Sequence, residues 1–140
     1  MKSHKFRYTL VRMKHHFYHR DFTLPEIERG EAQKWIKQIK AEFGSVGCVL
    51  HRRAFTNRRD KNRADIYEGD IIKTGFFWVV YFGENQDVKG TIGWCIKNLS
   101  TLKTYPADDA TFRLCEVTDH IYGHPGLLRE LPKYYPITQK

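Results

Sequence analysis

At 140 residues, 41% of them apolar and 14% aromatic, the chain is long enough for one domain with a modest, ring-rich core. No apolar run approaches the roughly 18–20 residues that span a bilayer, and no stretch of signal-peptide length follows the basic N-terminus, so the composition argues against a membrane segment and against secretion. The net charge of +8 is lopsided: residues 1–63 hold sixteen Lys and Arg against six Asp and Glu, and residues 64–140 hold eight against ten, an asymmetry that points to a polyanion-facing surface in the first half.

Residues 5–13 alternate, with Phe6, Tyr8 and Leu10 on one face and Arg7 and Thr9 on the other, which predicts a half-buried strand. Lys14–Arg20 mixes cations, imidazoles and rings and either prolongs the strand or forms a loop. Thr23 is placed as a helix N-cap ahead of Pro25 and Glu26. Trp35, Ile36, Ile39 and Phe43 recur at helical spacing, with lysines mostly between them, and Gly44 sits where a terminating glycine belongs. One amphipathic helix over about 24–43 follows, with Gly30 able to split off a first turn. Val46–Leu50 reads as a short strand, and His51–Arg63 as a long polar loop or hairpin tip.

Ile66–Lys73 carries the strongest turn signal. Glu68-Gly69-Asp70 lies between two apolar runs; glycine accepts a positive φ and Asp can bond its own backbone. Phe76–Phe82 is the strongest strand, apolar enough to be buried on both faces or covered on one by the helix. Thr91–Lys97 is a further strand, Leu102–Asp109 a loop carrying Pro106, and Phe112–Val117 an alternating strand. Ile121–Leu128 is a turn leading into a short helical turn, and the tail, with Pro132 and Pro136, is extended. Cys48, Cys95 and Cys115 form no CxxC pair and read as buried free thiols of a reducing cytoplasm.

Phe55-Thr56-Asn57-Arg58-Arg59-Asp60-Lys61-Asn62, leading into Asp65-Ile66-Tyr67-Glu68-Gly69-Asp70-Ile71-Ile72, resembles the YopX family of phage proteins. A second block, Cys115-Glu116-Val117 and then His120 to Leu128, resembles that family's ending. The likeness covers about residues 55–128. Asn57 and Arg63 stand where the family has glycine, and Gly123, His124 and Gly126 where it has Glu, Asn and Glu. The resemblance implies a small β-barrel-like domain of phage or prophage origin with no established enzymatic activity, and supplies no site residues. The expected fold is α+β: a strongly bent antiparallel sheet forming a small, partly open, Src-homology-3-like barrel with one amphipathic helix packed on it, in a single domain divided into 1–50, 51–130 and an extended tail.

The candidate binding residues are Arg52, Arg53, Arg58, Arg59, Lys61 and Arg63 with Phe55 and His51, because arginine forks pair with phosphates and a ring can stack on a base. Arg12, Lys14 and Arg20, with Tyr18, extend that patch. His15, His16 and His19 share an HHxxH spacing, but Phe17 and Tyr18 between them favour a strand or loop over a metal-binding helix face. Glu68 and Asp70 are explained by the turn, Tyr67 and Tyr122 by core packing, and no nucleophile or phosphate-loop spacing is visible. The expected protein is therefore a non-catalytic phage accessory protein of the host cytoplasm, without cofactor, that binds nucleic acid or a nucleoprotein. One form of it is an anti-CRISPR-type inhibitor of a host nuclease. The alternative is a protein-interaction or assembly module, and a small hydrolase or metal-dependent nuclease is the least favoured reading.

Overall fold

A computed structural model describes residues 5–12, 16–44, 47–85, 87, 89–124 and 138–139. The fold is mixed α+β and mostly strands, and one of its sheets curls into a half-barrel, in line with the expected class. The chain divides into two compact units, residues 1–55 with 136–140, and residues 56–135. Among the described residues no helix is long and apolar enough to cross a membrane.

In the N-terminal unit the period-two segment forms β1 (Lys5–Arg12), which pairs antiparallel with β2 (His16–Thr23) and with β3 (Val49–Arg59). Tyr8 and Leu10 are buried on the predicted face, with Phe6 half-buried beside them. Thr23 closes a capping box with Glu26 and starts α1 (Leu24–Glu28). Gly30, at φ +81°, breaks the run, and α2 (Glu31–Phe43) begins after it and ends at Gly44. The helix expected over 24–43 is thus split at Gly30, as the sequence allowed, because a left-handed residue does not continue a right-handed helix. Ala32, Trp35 and Ile36 of α2 pack on Tyr8, Leu10, Phe22, Cys48 and Leu50, and the Tyr8, Phe22 and Trp35 rings meet edge to face at 5.4 and 5.9 Å. Each such buried side chain contributes about 1.5–3 kcal/mol, so this interlock holds the helix on the sheet.

Of the loop or hairpin tip expected over His51–Arg63, the structure has a hairpin whose tip is shorter than expected. β3 runs to Arg59, and only residues 60–64 turn, into β4 (Asp65–Tyr67), which pairs with β3. The turn is built on Asp60. Its buried carboxylate accepts the amides of Asn62 and Ala64, each at 2.8 Å, and of Val117 at 2.9 Å.

The C-terminal unit is an antiparallel sheet of β5 (Asp70–Thr74), β6 (Phe76–Glu84), β7 (Ile92–Asn98), β8 (Thr104–Pro106) and β9 (Glu116–His120), in the order β8-β7-β6-β5-β9. Three expectations are corrected here. The segment from Phe112 does not begin a strand: Asp108 caps a short helix, α3 (Asp109–Leu114), which buries Phe112 and exposes Leu114, and the strand starts only at Glu116. The helix does not cover Phe76–Phe82, since α2 packs in the other unit; only Val79, Val80 and Tyr81 of that strand are buried, and Phe76, Phe77 and Phe82 are exposed. Pro106, expected in a loop, lies in β8. The Pro132 and Pro136 tail is outside the described residues, apart from β10 (Thr138–Gln139) pairing with β3.

Gly69 turns the chain between β4 and β5 at φ +85°, and the Asp70 carboxylate accepts the Tyr67 amide at 2.8 Å. The Gly69 amide donates to the Val80 carbonyl at 2.7 Å, and its carbonyl accepts the Ile121 amide at 2.8 Å. A Cβ on Gly69 would lie 2.5 Å from the Tyr122 hydroxyl and 2.6 Å from its ring. Gly69→Val is therefore expected to cost about 3 kcal/mol, from left-handed strain and overpacking together. Arg58→Ala, which removes an exposed ion pair with Asp109, should change stability by less than about 1 kcal/mol. Equal losses in the two variants on thermal melting would contradict this placement of Gly69.

Candidate nucleic-acid interface

The β3 arginines fall into distinct environments. Arg53 is 1% exposed and donates to the Thr9 hydroxyl at 3.2 Å, and that hydroxyl also meets His19 Nδ1 at 2.9 Å. His51 is buried as well. Both point to the side of the sheet opposite Leu50, so neither belongs to a surface patch, which corrects their assignment as ligand contacts. Phe55 is half-buried and its ring carries the Lys5 ammonium at 4.5 Å, so that face is taken. Arg58 pairs with Asp109, and Arg59 with Asp65 at 2.9 Å. Lys61 and Arg63, on the Asp60 turn, are exposed.

Of the second set, Arg12 is half-buried, bonds the Phe43 carbonyl at 3.1 Å and His16 Nδ1 at 2.9 Å, and lies over the Phe43 ring. Tyr18 is half-buried and stacks on Phe43 at 5.1 Å. Lys14 lies outside the described residues. Arg20 and Arg52 are exposed, each with its guanidinium over a phenylalanine ring, Phe22 at 5.6 Å and Phe6 at 5.5 Å. Arg20 pairs in register with Tyr8, and Tyr8 with Arg52, so the two cations share one face of the sheet, about 10 Å apart at their backbones.

The candidates are also divided between the units. Arg12, Arg20, Arg52, Arg53 and Phe55 belong to the first, and Arg58, Arg59, Lys61 and Arg63 to the second. Counted by unit, the charge asymmetry is complete. The first holds thirteen Lys and Arg against five Asp and Glu, a net +8; the second holds eleven of each and is neutral.

Sequence reasoning overlooked the cations around α2. Its exposed side carries Lys34, Lys37 and Gln38, and a cleft of about 420 Å³ between β2 and α2 is lined by Arg20, Phe22, Arg29, Glu31, Lys34, Trp35 and Gln38. The signal was present: lysines falling between the apolar helix positions mark the solvent side, and that side is cationic. A second cleft, of about 430 Å³ in the other unit, is lined by Ile71, Phe77, Leu99, Ser100, Thr118, Asp119 and His124. There His124 Nε2 lies 2.9 Å from Asp119. Burial pushes the Asp119 carboxyl up, but hydrogen bonds from His124 and the His120 amide bring it below its ordinary value.

His16 and His19 lie three residues apart on a strand and so point to opposite faces, and His15 is outside the described residues. Among the described residues no three His, Cys, Asp or Glu side chains gather as metal ligands. The three cysteines are free and buried; burial, and the nearby Asp60 carboxylate, push the Cys115 thiol up to about 12, which keeps it protonated and unreactive.

No family model and no curated protein matches the chain.

Arg63 is held at φ +67° with its side chain in solvent. Arg63→Gly should therefore raise stability by about 0.5–1 kcal/mol, a few degrees in Tm, by relieving left-handed strain. A lower Tm would mean that the arginine side chain itself holds the turn.

Proposed function

We propose that the chain is a non-catalytic phage or prophage accessory protein that binds nucleic acid or a nucleoprotein through its N-terminal unit, in the cytoplasm of the host cell. The observation that carries this reading is the confinement of the net +8 to residues 1–55 and 136–140, beside a neutral second unit. Of the residues the sequence suggested, Arg20 and Arg52 stay in the proposed surface and the α2 lysines join them, while Arg53 is buried and Arg58 and Arg59 are held in ion pairs. The YopX-like resemblance supports the phage origin. Asn57 and Arg63, which replace family glycines, sit at φ +63° and +67°, in the left-handed region that glycine favours. Gly69 and Tyr122, from the two resembling blocks, lie against each other. In one form of this function the protein inhibits a host nuclease by occupying its nucleic-acid-facing or acidic surface.

A second reading, a protein-interaction or assembly module, is favoured by the exposed rings of the C-terminal sheet. Exposed Phe76 and Tyr105 each meet the half-buried Trp78 edge to face, at 6.5 and 5.7 Å, exposed Phe82 meets the half-buried Trp94 at 5.2 Å, and Ile92 is exposed as well.

Fluorescence anisotropy with a labelled oligonucleotide separates the two. The first reading expects measurable affinity that falls about tenfold to a hundredfold between 50 and 200 mM salt, as released counterions require. It also expects Arg20→Glu with Arg52→Glu to abolish binding. Absence of binding at low salt, with a host protein captured in a nuclease-resistant complex, would replace it with the second.

A further inference from the structure

The geometry points to the cleft between β2 and α2 as the seat of one nucleotide phosphate, a proposal that rests on the nucleic-acid reading above. Its volume, about 420 Å³, lies within the range of about 300–1,000 Å³ typical of small-ligand sites and suits a single nucleotide unit. Three cations, Arg20, Arg29 and Lys34, line it against one acid. Arg29 and Glu31 are paired to each other at 2.7 Å, and Glu26, whose carboxylate both arginines approach, is committed to capping Thr23. Among the described residues this leaves Arg20 and Lys34 outside any ion pair, facing one cleft.

Arg20 is also pre-organised. Its guanidinium rests over the Phe22 ring at 5.6 Å, and Phe22 is fixed by Tyr8 and Trp35 edge to face. A planar fork held on a fixed ring loses less freedom on pairing with two phosphate oxygens. Lys34 supplies a compact second charge, and Gln38, one helical turn further along the same stripe of α2, supplies a neutral donor and acceptor for a sugar or base edge. The aromatic walls do not add base stacking. Trp35 and Phe22 are 8% and 3% exposed, so their faces are spent in the core. The cleft therefore holds phosphate and sugar without reading sequence. The phosphate can be a chain end or an internal phosphodiester, and the experiment distinguishes them.

The test uses the full chain and anisotropy with labelled dT12 and dA12, each with a 5′-hydroxyl or a 5′-phosphate. The variants are R20Q with K34Q in the cleft, the charge-preserving R20K with K34R, and K89Q with K103Q as a control in the neutral unit. The cleft variant should bind at least about tenfold more weakly, with its slope of log K against log salt reduced by about 0.7, one single-strand phosphate contact's worth. The charge-preserving and control variants should keep the wild-type slope, and dT12 and dA12 should behave alike. Equal losses with both 5′ ends identify an internal phosphodiester, and a loss confined to the 5′-phosphorylated strands identifies a chain end; either supports the site. Equal weakening in the cleft and control variants, or loss of slope in the charge-preserving one, would overturn the cleft and leave the wider reading standing. No binding of any oligonucleotide by the wild-type chain would overturn both.

Discussion

At Gly69 there is room for a hydrogen atom and nothing larger. The Tyr122 ring occupies the space a Cβ would need, the amide is held by Val80, and the carbonyl holds Ile121. One residue thereby ties the start of β5 to the middle of β6 and to the segment that follows β9, which is distant in the chain. Asp70 secures the same turn from its other side through the Tyr67 amide, and Asp60 does similar work one turn earlier, joining residues 60–64 to Val117. Two carboxylates and one glycine thus fix the closure of the C-terminal unit. The Asp70 carboxylate accordingly serves as part of the turn, with Glu68 beside it in the chain.

That closure matters to function because it uses up charge. Arg58 and Arg59 are committed to Asp109 and Asp65 within the neutral unit, and Arg53 is buried beside Thr9 in the other. A basic run in the sequence is therefore not a basic surface. Lys61 and Arg63 also face solvent, but in the neutral unit; in the charged unit the cations left facing solvent include Arg20 over Phe22, Arg52 over Phe6, and the α2 lysines. A guanidinium over an aromatic face keeps its fork available, whereas one paired with a carboxylate has spent it.

What the sequence made legible was what local physics decides. The alternation of Phe6, Tyr8 and Leu10, the Thr23 cap, the Gly44 stop and the Gly69 turn each follow from two to eight neighbouring residues, and the structure places them as read. What was illegible depended on partners distant in the chain. His51 and Arg53 read as solvent-facing because they are polar, yet β1 pairs with β3 and buries them beside Thr9. Phe112–Val117 alternates like a strand, but the Asp108 cap outweighs so short a pattern over its first half. Of the residues named from the sequence, Arg20 and Arg52 are exposed, Arg53 is buried and Phe55 is half-buried under Lys5, while Arg29, Lys34 and Gln38 were not singled out. The cleft exists only once α2 lies against β2, which no spacing along the chain reveals.

The account stands or falls on whether the charged unit, and not the aromatic one, meets the polyanion. The most direct measurement is a titration of the isotope-labelled full chain with a short oligonucleotide at low salt, followed by amide chemical-shift changes. The predicted result is that the shifted amides cluster on β2, on β3 around Arg52 on the far side of β1, and on the first turns of α2, with β5–β9 unmoved. Shifts centred on Phe76–Phe82 and Trp94, with residues 16–38 silent, would contradict it.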